Sequence, residues 1–93
     1  STRNIDDEIF NIKPVSFSIN LIGYHIDEAI DALSKYLDDC SIRKYKEVKV
    51  IHGYGTGKLR EAIHNYLKTS RYVKSFKLGG IDGGSGATIV TLK

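Results

Sequence analysis

From Val15 onward, apolar and polar residues trade places in two clear rhythms. Val15, Phe17, Ile19 and Leu21 alternate with Ser16, Ser18 and Asn20. A period of two predicts a strand with one apolar face, and Gly23 ends it. The rhythm then becomes helical: Ile26, Ala29, Ile30, Leu33, Leu37 and Cys40 fall on one stripe. His25 stands at its N-cap with Glu28 three residues later, a capping-box spacing. Glu47 to Ile51 predicts a second strand, with Val48 and Val50 on one face. A second helix follows with Leu59, Ala62, Ile63, Tyr66 and Leu67 on its stripe and Thr56 as N-cap. Val73 to Leu78 and Thr88 to Leu92 predict two more strands. The order is β-α-β-α-β-β. Right-handed crossovers should join parallel strands. The polar second face of the first strand puts both helices on one side. The expected architecture is therefore α/β: a two-layer sandwich with a mostly parallel four-stranded sheet. Residues 1–14 break both rhythms. Ile9, Phe10 and Ile12 offer docking positions and Pro14 closes the stretch, which reads as a linker or N-terminal arm ahead of a folded unit at 15–93.

A chain of 93 residues, 41% hydrophobic and 27% charged, has room for one small domain. The single cysteine, Cys40, excludes a disulfide scaffold and a four-cysteine zinc site. A lone thiol suits a reducing compartment, and no apolar run approaches the roughly 20 residues of a membrane span. The expectation is a cytoplasmic, membrane-free protein. The net charge of +3 hides an asymmetry: residues 1–40 carry three basic and eight acidic groups, residues 41–93 eleven and three. A basic half suits a polyanion partner, or simply a wet lysine surface.

In the expected topology the C-terminal ends of the strands and the N-termini of the helices share one edge. All nine glycines would lie there: Gly23 after the first strand, Gly53, Gly55 and Gly57 after the second, five more after the third. Open α/β sheets bind ligands at such an edge. Helix N-termini favour anions, and Lys58 and Arg60 occupy the first turn of the second helix, where cations are disfavoured. A local rule broken there points to phosphate contact, the plainer alternative being side chains that reach back into water at little cost. A P-loop is excluded, because only three residues separate Gly53 from Gly57 and Leu59 follows Lys58. A dinucleotide fingerprint fails because position 58 is lysine. His25, His52 and His64 form no metal-ligand spacing. His64 falls on the polar face of its helix and reads as a solvated residue. His52, where a strand meets the glycine turn, suits either phosphate donation and proton transfer or a bond to the turn's own backbone.

Ile19-Asn20-Leu21-Ile22-Gly23, Asp27-Glu28-Ala29, His52-Gly53-Tyr54-Gly55-Thr56-Gly57 with Leu59-Arg60, and Gly83-Gly84-Ser85-Gly86-Ala87-Thr88 together resemble the Smr (small MutS-related) domain. The resemblance runs from about Val15 to Lys93. The end, Thr88 to Lys93, is similar to that of the second type of bacterial MutS protein, where this domain comes last. The resemblance implies nucleic-acid binding and, in many members, endonuclease activity on DNA or RNA, linked to suppression of recombination through branched DNA or to rescue of stalled ribosomes. It implies a catalytic role for His52, with Asn20 and His25 at further motif positions. It implies a binding surface of Gly53, Tyr54, Gly55, Thr56, Gly57, Lys58 and Arg60, with Gly23, Tyr24, Gly84 and Gly86 beside it. It names no metal ligand; magnesium or manganese would serve cleavage, and ATP would belong to other domains of a homodimeric parent, the isolated domain being monomeric. Asn20 and Ile22 depart from the family's usual acidic and basic positions. The rival reading is therefore a catalytically inactive module that docks on RNA or the ribosome. A third is a protein-binding module anchored by Tyr24 and Tyr54.

Overall fold

The computed structural model describes residues 15–79, 84 and 86–93. The expected arm at 1–14, and Gly80, Ile81, Asp82, Gly83 and Ser85, lie outside the described residues. Six elements follow in order: β1 (Ser18–Asn20), α1 (Ile26–Ile42), β2 (Glu47–Ile51), α2 (Lys58–Thr69), β3 (Val73–Leu78) and β4 (Ala87–Leu92).

The four strands form one sheet in the order β1-β2-β4-β3. This corrects the expected mostly parallel sheet. Only β1 and β2 pair in parallel, while β4 runs antiparallel to both β2 and β3. The crossover through α2 leaves a one-strand gap beside β2, and β4 returns from β3 to fill it. Its composition suits the place: Ala87, Thr88, Val90 and Leu92 are buried and the other two residues half-buried. β3 takes the outer edge, where Lys74, Ser75 and Lys77 are exposed, and its register slips between Val73 and Ser75. Because β2 and β3 both oppose β4, strands β1, β2 and β3 still point the same way. The edge predicted from the glycines therefore survives the correction.

One face of the sheet carries the core. Val48 pairs across from Val90 and Val50 from Thr88. Against them pack Ala29, Leu33, Leu37 and Cys40 of α1 and Ile63 and Leu67 of α2, in one cluster. Both helices thus lie on one side, as the period of β1 implied. Burying each such aliphatic side chain contributes about 1.5–3 kcal/mol. β1 is shorter than the Val15–Leu21 alternation suggested. Leu21 is fully buried, whereas Phe17 is 64% exposed and rests on Tyr45 with ring centroids 4.4 Å apart. Among the described residues, no helix is long and apolar enough to cross a membrane.

Candidate nucleic-acid interface

The loop after β1 turns on two devices. Asn20 Oδ1 accepts from the Ile22 amide at 2.9 Å, and Gly23 adopts φ +86°. His25 then caps α1, its amide donating to the Glu28 carboxylate at 3.3 Å. His25 and Tyr24 are both exposed.

The loop after β2 holds most of the sequence-predicted surface. Gly53, Gly55 and Gly57 all have positive φ. Gly57, in the left-handed region, is the N-cap of α2. This corrects the assignment of Thr56, which sits one residue earlier; its Oγ1 accepts from the Lys58 amide at 3.3 Å. The first bond of the helical ladder runs from the Glu61 amide to the Gly57 carbonyl. The Leu59 and Arg60 amides precede that ladder, at the positive end of the helix dipole. Lys58 and Arg60 stand in the same turn, and the Arg60 guanidinium lies over Gly57 so closely that a Cβ there would be 2.8 Å from it.

The three loops interlock. A Cβ on Gly53 would meet Ile22 at 3.2 Å. Tyr54 covers Gly84 and Gly86, where added Cβ atoms would lie 2.8 Å from its hydroxyl and 3.0 Å from its ring. The Gly86 carbonyl accepts from both the His52 and Gly53 amides, at 3.0 and 2.9 Å. Gly23, Gly53, Tyr54, Gly55, Thr56, Gly57, Lys58, Arg60, Gly84 and Gly86 thus line one rim. Asn20 sits behind it as a turn-forming residue and His25 beside it as a cap.

His52 is 5% exposed and both ring nitrogens are engaged. Nδ1 lies 3.0 Å from the Gly53 carbonyl and Nε2 2.9 Å from Thr88 Oγ1. Sequence reasoning missed the third member. His64 is not a solvated surface residue: its Nε2 lies 2.7 Å from the same Thr88 hydroxyl, and its ring packs on Phe76 with centroids 5.0 Å apart. One assignment satisfies every partner. His52 donates from Nδ1 to the Gly53 carbonyl, Thr88 donates to His52 Nε2, and His64 donates from Nε2 to Thr88. Burial, then the neighbouring His52 imidazole and the charges of Arg60 and Lys68, hold His64 below the usual histidine range. Among the described residues, no three His, Cys, Asp or Glu side chains gather to hold a metal.

The Smr domain family model matches residues 19–93. Endonuclease MutS2 of Fusobacterium nucleatum is 46% identical over 93 residues, 94% of this chain and 12% of that protein. Endonuclease MutS2 of Acetivibrio thermocellus is 48% identical over 82 residues, 87% of this chain and 10% of that protein. The chain therefore spans about a tenth of the length of these curated relatives. Among solved structures, the Smr domain of Thermus thermophilus MutS2 superposes with a TM-score of 0.78 at 31% identity, covering 82% of this chain and 96% of that one. The stand-alone small MutS-related protein YdaL of Escherichia coli shares the fold, with a TM-score of 0.77 at 22% identity over 98% of this chain and 76% of its own. A family match from the first strand to the last residue, on a sheet and glycine rim of this form, means that the chain belongs to the Smr domain family.

Proposed function

We propose that this domain grips the sugar–phosphate backbone of a nucleic acid along the glycine rim and serves a nuclease-like role within a larger protein of the MutS2 kind. The observation that carries the reading is the interlocking of three loops around the N-terminus of α2, with Lys58 and Arg60 in its first turn. Free amides at a helix start, flanked by two cations, match a phosphodiester in charge and hydrogen-bonding sense. Glycines let the backbone approach closely. Tyr24 and Tyr54, 46% and 65% exposed, flank the rim and offer faces on which unpaired bases stack. Branched DNA and structured RNA, the latter as found on stalled ribosomes, are the substrate classes this reading names. ATP hydrolysis is left to other parts of such a protein.

A second reading, binding without cleavage, rests on two observations. Both nitrogens of His52 face protein partners, and Asn20 spends its oxygen on the Ile22 amide. If cleavage occurs, His52 acts by holding the turn and Thr88 in place while the rim binds the phosphate.

Binding of branched DNA and stem-loop RNA across a salt series, with nicking followed in parallel, tests both readings. Affinity should fall steeply with salt as counterions are released. K58E/R60E should weaken binding at least tenfold; unchanged affinity sinks the proposal. Nicking by the wild type supports the nuclease-like role, and binding without nicking selects the second reading.

A further inference from the structure

The rim leaves one feature unused. From the first turn of α2, an open groove of about 470 Å³ runs along the outer face of the helix, lined by Thr56, Lys58, Arg60, His64 and Lys68. Glu61 also borders it, so three cations face one carboxylate. His64 stands between this groove and the interior. Its Nε2 is tied to Thr88, which is fully buried, while among the described residues no protein group bonds Nδ1.

We propose that His64 is the proton-carrying contact of this groove: it meets a phosphate diester held among Lys58, Arg60 and Lys68, and takes up a proton as the diester binds. The inference rests on the nucleic-acid reading above and extends its surface from the rim onto the flank of α2. The groups around the imidazole are His52 from the end of β2, Arg60, Glu61 and Lys68 from α2 itself, Phe76 from β3 and Thr88 from β4. With the groove empty, burial first and then the neighbouring cations disfavour the protonated ring. An anion beside it reverses that balance. The proton comes from solvent and adds to Nδ1, and no other bond changes. Protonated His64 still donates from Nε2 to Thr88, so the chain to His52 holds in both states. The hydrogen-bond network therefore survives the change in charge.

The direct test follows the imidazole resonances of the whole domain by NMR from about pH 5 to 8. Spectra are compared in sodium sulfate and in sodium chloride of equal ionic strength, and with a single-stranded oligothymidylate. Each added anion keeps a constant charge over that range. The His64 titration should move up by about one pH unit with sulfate or oligonucleotide. By linkage, the oligonucleotide should bind about tenfold more tightly below that titration than above it. H64Q keeps an amide donor for Thr88 and cannot titrate, so its affinity should show no such step. An unmoved His64 titration overturns the inference without any variant, and so does a step that persists in H64Q. The two proposals also fail separately. A sulfate-shifted His64 without oligonucleotide binding leaves an anion groove and removes the nucleic-acid reading. Oligonucleotide binding with His64 unmoved removes the groove alone.

Discussion

Replacing Thr88 with valine isolates the bridge between the two histidines. The side chain is fully buried, and valine nearly preserves its volume, so the change removes the hydroxyl and little else. His52 Nε2 then faces no partner in a site 5% exposed. An unsatisfied buried polar atom costs about 1–3 kcal/mol. The half-buried His64 loses one bond, worth about 0.5–1 kcal/mol. Together these give about 2–4 kcal/mol, from a domain whose size implies a total of about 5–14 kcal/mol. Thr88→Ser is the control. It keeps the hydroxyl and deletes one buried methyl, at about 1 kcal/mol. With about 4–8 °C per kcal/mol for a domain of this size, T88V should melt roughly 8–30 °C lower than wild type, and T88S about 4–8 °C lower. Thermal and urea unfolding followed by circular dichroism reads both. If T88V is as stable as T88S, the hydroxyl does not bridge the histidines and the network as described is wrong.

Gly57→Ala places a Cβ on a residue at φ +86°, a cost of about 1–2 kcal/mol, and pushes the Arg60 guanidinium aside. Both the melting temperature and oligonucleotide affinity should drop; an unshifted melt would mean the cap is not left-handed. Cys40 is fully buried, and desolvation pushes its thiol up from the ordinary value, with Asp39 adding to the rise and the Tyr36 hydroxyl and Arg43 opposing it. It should resist an aromatic disulfide reagent at about pH 8 until denaturant is added; prompt reaction of the folded domain would contradict that burial. His64 titrates below its unfolded value of 6.5, so near that pH the unfolded chain binds more protons than the folded one. Stability should be complete above pH 6.5 and decline as pH falls through it. Urea midpoints at neutral and mildly acidic pH should show this slope in the wild type and a shallower one in H64Q; equal slopes would assign the loss elsewhere.

Helix stripes and strand alternation are local properties, so all six elements could be read along the chain. β2 and β3 appear with the limits the pattern gave. The glycines could be placed on one edge because they punctuate strand ends. Strand neighbours are not local. Nothing in the period of residues 73–92 states that β4 lies inside β3. The trace that was present is compositional: Ala87-Thr88-Ile89-Val90 is apolar on both faces, as a central strand requires, whereas Lys74 and Lys77 mark β3 as an edge. His64 was misplaced for the same reason. A helical wheel sees only the helix's own stripe, and the groups that half-bury His64, Thr88 and Phe76, arrive from β4 and β3. Thr56 and Gly57 are both acceptable caps, and only the backbone angle separates them.

The outer strand bears on how the domain behaves in crowded solution. An unpaired row of amides and carbonyls invites a neighbouring molecule to add a strand of its own, which is the first step of fibre growth. Along β3 two lysines would have to be brought beside whatever docked, and the slip between Val73 and Ser75 spoils the straight register an incoming strand needs. The opposite margin, β1, is three residues long. Each margin thus offers a poor template for an added strand in a different way, one by charge and misfit and the other by brevity.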